Sequence, residues 1–290
     1  MTDIREKNKT EGGKLYLVAT PIGNLSDISE RALKVLSEVD FIAAEDTRNS
    51  VRMLTHFGIK KTLVSYHEHN KAEKGEEICG RLLMGESCAL ITDAGTPAIS
   101  DPGEDLVRLC AEKGISVTSI PGSCAAIVAL TLSALPTKRF TFEGFLSAQK
   151  KERRERLVEL KEEKRTMIFH EAPHKLKATL SDMLEVFGGE RKISLCRELT
   201  KLNEDIMRTT LYQAVNYYEN NDPRGEYVLV LDGGTVLPKE NFWENMSAYD
   251  HVEYYINMGL ERMEAIKKAA KDRGVNKNSI YKEYVTKSHS

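Results

Sequence analysis

The twelve residues Thr92-Asp-Ala-Gly-Thr-Pro-Ala-Ile-Ser-Asp-Pro-Gly103 hold two glycines, two prolines and two aspartates. Proline fixes φ and glycine permits conformations that other residues resist, so such a run takes an irregular but defined path. The apolar run Cys88-Ala-Leu-Ile91 leads into it, and an amphipathic segment from Glu104 leaves it. A rigid loop at the end of a buried strand is where α/β proteins hold small ligands. Other strand ends carry reactive groups too. Glu45-Asp-Thr-Arg48 brings two carboxylates, a hydroxyl and a guanidinium together, and these must pair with one another or face a ligand. The plain alternative is Asp46 capping a helix while Arg48 answers Glu45. Ser65-Tyr-His-Glu-His-Asn70 contributes His67, Glu68 and His69. No third metal ligand is indicated there, so a polar lip against a nucleotide suits the segment better than a metal site.

Asp93, Glu45, Asp46, Glu68, His67 and His69 are therefore the candidate proton acceptors, and the sequence does not choose among them. Pro121-Gly-Ser-Cys-Ala125 opens a helix whose free N–H groups can meet a carboxylate or a ribose oxygen. Neither GxGxxG nor GxxxxGK[ST] occurs, which argues against a dinucleotide or a polyphosphate as the ligand.

The elements that must position these loops follow a βαβ rhythm. Strand-like runs at 14–19, 41–44, 63–66, 88–91 and 116–120 alternate with helical patterns at 28–39, 48–57, 71–84 and 104–113. Asp27 stands where it could cap the first helix. This predicts a largely parallel sheet covered by helices. After Pro121-Gly122 and a helical 125–135, strands are expected at 140–145, 166–169, 193–196 and 226–231, more mixed in direction, with helices at 151–164 and 174–187. Gly233-Gly234 and Pro238 close that region. From about 240 no strand signal remains. Helical 261–273, Gly274 and helical 279–285 outline a helix-turn-helix, with Lys277, Lys282 and Lys287 on or beside its second element. The expected organisation is a disordered tail over 1–13, α/β domains over 14–121 and 122–236, and a helical, helix-turn-helix-like domain over 240–290.

Composition bounds the function. The chain is 41% hydrophobic and 30% charged, as in soluble globular proteins. No apolar run approaches membrane-spanning length, and the opening MTDIREKNKTEGG lacks a signal-peptide core. Five scattered cysteines without a CxxC pair point to reduced thiols in the cytoplasm. The net charge of −2 gives no general attraction to nucleic acid. Two local stretches, 150–165 and 251–290, each carry a net +3, although a solvated helix face explains either on charge alone.

Taken in order, Thr20-Pro-Ile-Gly-Asn-Leu-Ser-Asp27, Glu45-Asp-Thr-Arg48, Ser65-Tyr-His-Glu-His-Asn70, Asp93 to Gly103 and Glu171-Ala-Pro-His174 resemble the small-subunit ribosomal RNA methyltransferases of the tetrapyrrole methylase-like superfamily. The resemblance runs from about Lys14 to Gly234, and the helical tail is similar to that family's small C-terminal domain. It implies two α/β domains with S-adenosylmethionine in the cleft between them, usually in a homodimer. It also implies 2′-O-methylation of a cytidine ribose in the decoding region of 16S rRNA, with rRNA or the 30S subunit as partner. Carried onto this chain, cofactor contacts fall on Pro21, Asp93, Gly95, Thr96, Ile99, Cys124, Ala125, Glu171, Ala172, Gly225 and Glu226. Catalytic candidates are Asp93, Glu45, Asp46, Arg48, His67 and Glu68, and RNA contacts fall on Arg48, His69, Lys277 and Lys282. On this reading the 45–48 and 67–69 lips hold the nucleotide while the Asp93 loop holds the cofactor. The chain departs from the family pattern at Ser123-Cys124, where Pro-Ser is usual, at Lys175 in place of Arg, and at His170 in place of a common Tyr.

Two other readings are compatible with parts of this pattern. A methylase of small tetrapyrroles would share the architecture but typically opens on a Gly-rich Gly-Pro-Gly-Asp-Pro-type loop, where this chain has Ala19-Thr-Pro-Ile-Gly-Asn-Leu25. A non-enzymatic nucleic-acid binder built on the tail would have no need of so many cleft loops.

Overall fold

A computed structural model describes residues 9–234, 243 and 246–287. Met1–Gly234 form one compact unit and Thr235–Ser290 a second. The first unit opens on β1 (Lys14–Val18), β2 (Phe41–Ala44), β3 (Thr62–Ser65), β4 (Cys88–Ile91) and β5 (Ser116–Ile120). They form a sheet in the order β3-β2-β4-β1-β5, parallel at every pairing. β2 and β4 are buried along their whole length, as unbroken apolar runs in a doubly covered parallel sheet must be.

Helices α1 (Glu30–Glu38) and α2 (Thr47–His56) cover one face through Val35, Leu36 and Leu54 packed on Ile42 and Ile91. α3 (Lys71–Leu83) and α4 (Gly103–Glu112) cover the other through Ile78, Leu82 and Leu106 packed on Phe41 and Leu90. The first helix starts later than expected. Leu25–Asp27 form a 3-10 turn capped by Asn24, and Ser29, not Asp27, caps α1 by accepting the N–H of Ala32. Within the stretch expected as a tail, residues 9–13 include held backbone. Gly13 donates to the carbonyl of Glu86, and the N–H of Glu11 donates to the Tyr16 hydroxyl. Residues 1–8 lie outside the described residues, as does Pro238.

α5 (Ala125–Leu132) leads to the second sheet, made of β6 (Phe140–Phe145), β7 (Thr166–Glu171), β8 (Lys192–Arg197), β9 (Asp205–Thr210) and β10 (Tyr227–Leu231). Its order is β6-β7-β10-β8-β9, with only β6 and β7 running parallel. β9 was not anticipated: it is a half-exposed edge strand whose Asp205, Arg208 and threonines mask the strand pattern. α6 (Lys150–Glu159), α7 (Pro173–Phe187) and α8 (Leu211–Glu219) pack on one face through Leu157, Leu176, Leu180 and Leu211. On the other face Ala126, Ala129 and Leu130 of α5 meet Ile168, Cys196, Val228 and Val230, and Ile22 from the loop after β1 joins the same cluster. The loop after β1 thus packs into a core of the second sheet.

The second unit contains α9 (Ala248–Asn257), α10 (Arg262–Asp272) and α11 (Lys277–Lys287) around Val252, Tyr255, Ile266, Ala269, Ile280 and Tyr284. α9 adds a helix that the two-helix outline lacked. Gly274 takes φ 64° between α10 and α11.

Candidate active site

The strand ends of both sheets converge on a cavity of about 490 Å³, within the range of small-molecule sites. One wall comes from the first sheet: Glu45 after β2, and Thr92, Asp93, Ala94, Ile99, Ser100 and Asp101 after β4. The other is built on the strands of the second sheet. Phe145 of β6 is in register with His170 of β7, His170 with Val228 of β10, and Val228 with Cys196 of β8. Ile22, Ala125 and Leu199 complete the apolar wall, and Glu171, Ala172, Pro173, Glu226 and Tyr227 complete the lining.

The acidic wall is held by its own hydrogen bonds. Ala98 and Ser100 take φ of 68° and 65°, a left-handed conformation that opposes any side chain. Asp101 offsets that strain: one carboxylate oxygen accepts the N–H of Ala98 at 3.0 Å and of Gly103 at 2.7 Å, and the other accepts that of Ile99 at 3.3 Å. Thr20 and Gly95 exchange backbone hydrogen bonds at 2.9 and 3.1 Å, tying the loop after β1 to the loop after β4. The Thr96 hydroxyl donates to the carbonyl of Ser123 at 2.9 Å, tying both to the start of α5. At Gly23 an added Cβ would lie 2.4 Å from Lys201, 2.8 Å from Thr200 and 2.9 Å from the carbonyl of Leu199, so only glycine lets the two halves close here.

The carboxylates differ in what they have left to offer. Glu45 accepts the Thr92 hydroxyl at 2.8 Å on one oxygen, which orients it. Asp93 is exposed, with no hydrogen bond or ion pair among the described residues. Glu171 is fully engaged, accepting from Thr179 at 2.6 Å and from the N–H of Ala172 at 2.8 Å, with Lys175 at 3.1 Å. Glu226 pairs with Lys201 at 2.6 Å. His170 is the one imidazole in the lining. Burial pushes its pKa below the usual histidine value, while Glu226 pulls the other way, so the ring is neutral at physiological pH. Its Nε2 is buried without a hydrogen-bond partner among the described residues.

Seven of the residues singled out from the sequence line the cavity: Glu45, Asp93, Ile99, Ala125, Glu171, Ala172 and Glu226. Pro21, Gly95, Thr96, Cys124 and Gly225 do not. Gly95 and Thr96 make the ties just described, Cys124 stands at the N-cap of α5, and Gly225 packs under the Glu198 side chain. Asp46, Arg48, His67, Glu68 and His69 also lie outside the lining. Of the plain alternative, the cap is present, with Asp46 accepting the N–H of Arg48 at 2.8 Å at the start of α2, but Arg48 answers Asp46 at 3.1 Å and not Glu45. The Arg48 side chain and amide hold the Asp46 carboxyl below its usual range. Glu68 pairs with Lys71 at 2.6 Å, which also reaches Asp105 at 2.7 Å. His67 and His69 pack edge to face, 5.9 Å apart. Lys277 and Lys282 lie on α11, in the second unit, with no ion pair among the described residues.

The sequence reading missed the strand-face residues Phe145, Cys196 and Val228, together with Ile22, Leu199 and Tyr227, and named His170 only as a departure from the family pattern. Their signal was positional: each sits at or near the end of a segment already read as a strand or loop.

The family described as Tetrapyrrole (Corrin/Porphyrin) Methylases matches residues 14–215. The chain is 50% identical over 280 residues to the ribosomal RNA small subunit methyltransferase I of Halalkalibacterium halodurans, covering 96% of each chain. It is 46% identical to the protein of that name from Bacillus subtilis, covering 95% of each, and 43% identical to that of Escherichia coli O157:H7, covering 93% of this chain and 94% of the other. Among solved structures it resembles a uroporphyrin-III-C-methyltransferase from Thermus thermophilus, with a TM-score of 0.55 and 19% identity over 76% of this chain and 94% of that one. A diphthine synthase matches with a TM-score of 0.58 and 15% identity over 77% and 90%. At such identities the solved structures speak for the fold alone.

Proposed function

We propose, from the premise that this chain belongs to the ribosomal RNA small subunit methyltransferase I family of tetrapyrrole methylases, that it methylates the 2′-hydroxyl of a cytidine ribose in the decoding region of small-subunit rRNA. The family's methyl donor is S-adenosylmethionine, and the cavity suits it chemically. Carboxylates on one wall favour a cation, while Ile22, Ala125, Cys196, Leu199 and Val228 offer apolar surface to the rest of a nucleoside-sized ligand. When bound, this cofactor supplies an electrophilic methyl group on a sulfonium and leaves as a neutral thioether.

The observation that carries the reading is the pairing of two differently held carboxylates in one cavity. The Asp93 loop, fixed by Asp101 and by the Thr20–Gly95 bridge, is the cation-holding wall. Glu45, oriented by Thr92, takes the hydroxyl proton as the ribose oxygen forms its bond to carbon. Positioning of the hydroxyl oxygen against the methyl carbon then supplies much of the acceleration. The second unit, with Lys277 and Lys282 on α11, adds affinity for the RNA, and the active species is a homodimer, as the family resemblance implies.

Mapping ribose methylation in rRNA from cells lacking the protein tests this directly, with complementation by the full chain and by a chain lacking 235–290. One cytidine methyl should vanish and be restored fully only by the full chain. An unchanged methylation map would refute the reading, and full restoration by the truncated chain would remove the second unit's role.

A further inference from the structure

The strand β6 does not alternate. Its register with β7 slips between Phe142 and Gly144, leaving Glu143 unpaired in a bulge. Phe142 stands beside Ile168 and Phe145 beside His170, so two aromatic side chains three residues apart fall on one face. They bracket the His170 ring at 5.1 and 5.3 Å, each edge to face. Gly144 makes the bulge possible: its φ is 63°, and an added Cβ would press on Ser100 Oγ at 3.2 Å. The bulge therefore aims Phe145 at the cavity and brings β6 against the loop after β4.

Phe145 is 58% exposed although it lines the cavity. The other rings in the lining cannot serve as a platform, since Tyr227 is buried and His170 is held between the two phenylalanines. One cation lies beside Phe145, and two more follow it in the chain. Lys175 Nζ sits 5.5 Å from its ring centroid, anchored by the carbonyl of Leu146 at 3.1 Å. Lys150 and Lys151 begin α6 a few residues on, both exposed, and Lys150 has no ion pair among the described residues. The opposite lip is acidic: Glu45, Glu68, Asp101, Glu104 and Asp105 surround a single Lys71. A polyanion is repelled there and drawn to the β6 side. An exposed aromatic ring beside lysines is the arrangement that stacks the base of a single-stranded nucleotide.

We propose that Phe145 is the stacking platform for an unpaired base of the RNA, and that the strand enters over β6 and α6 rather than over the 45–48 and 67–69 lips. This rests on the reading of the protein as an rRNA ribose methyltransferase. The test compares wild type, Phe145→Ala, Phe145→Leu and Phe145→Trp for methyl transfer to small ribosomal subunits lacking the modification, and for S-adenosylmethionine affinity by calorimetry. Phe145→Ala and Phe145→Leu should lose about 5- to 150-fold in kcat/KM, the range expected for one stacked base, with cofactor affinity unchanged within twofold. Phe145→Trp should keep near-normal transfer. Equal transfer by Phe145→Ala and wild type overturns the platform, and so does a matching loss of cofactor affinity, which would place the ring in the cofactor pocket. A wild-type protein that binds cofactor yet methylates no rRNA overturns the underlying reading as well.

Discussion

The two walls of the cavity are built by different means. The first sheet is parallel throughout, so its strands end at the same edge and hand their chemistry to loops: Glu45 after β2 and Asp93 to Asp101 after β4. The second sheet is mixed, and its contribution is a row of side chains on the strands themselves, from Phe145 through His170 and Val228 to Cys196. Loop groups are mostly polar, oriented by hydrogen bonds at Glu45 and Asp101 and left open at Asp93, whereas strand-face groups are mostly apolar and held by the core behind them. The difference separates chemistry from fit: substitutions in the loop wall should change proton transfer and charge, and those in the strand wall should change shape and affinity.

The largest expected effect tests the loop wall. Glu45→Gln keeps the size of the side chain and its bond to Thr92 but removes the proton acceptor, and should lower kcat by about 10²- to 10⁴-fold with cofactor affinity unchanged within twofold. Asp93→Ala should instead weaken cofactor binding. Equal losses of affinity in both variants would erase the distinction drawn between these carboxylates.

Asp101→Ala comes next. It removes a carboxylate that accepts three backbone N–H groups and holds two left-handed residues. The expected cost is about 2–3 kcal/mol of stability, measured by denaturant unfolding, with a parallel loss of cofactor affinity. Unchanged stability would mean that the loop does not depend on this residue.

The smallest effect belongs to the strand wall. His170→Phe replaces a buried ring whose Nε2 has no partner, so stability at pH 7 should change by no more than about 1 kcal/mol. Burial lowers the folded-state pKa of His170, so below about pH 6.5 the unfolded chain takes up a proton that the folded chain refuses. Its contribution is therefore fully present above that pH and is lost as pH falls. The Phe variant should lose less stability than wild type between pH 7 and pH 5, as thermal melts would read.

The same contrast explains what could be read from the chain. Loop motifs announce themselves because glycine, proline and acidic residues are locally unusual, and Glu45, Asp93 and Ile99 were legible for that reason. The parallel first sheet was equally legible, because β2 and β4 are continuous apolar runs. Alternation along Phe140-Thr-Phe-Glu-Gly-Phe145 gives no hint that Phe142 and Phe145 share a face, since a bulge is fixed by the register of the neighbouring strand. Nor does Glu45-Asp-Thr-Arg48 reveal that Arg48 turns to the capping Asp46 and leaves Glu45 to Thr92, a residue 47 positions away.

The sequence by itself determined the elements of the first sheet, their βαβ order, and the polar loops that end its strands, because propensity and hydrophobic period act over a few residues. Only the tertiary structure decided which of those loop groups remain available, and which strand residues complete the cavity. Hydrogen-bond pairing and strand register join residues far apart in the chain, and they are settled only when the two sheets close on each other at Gly23 and Gly144.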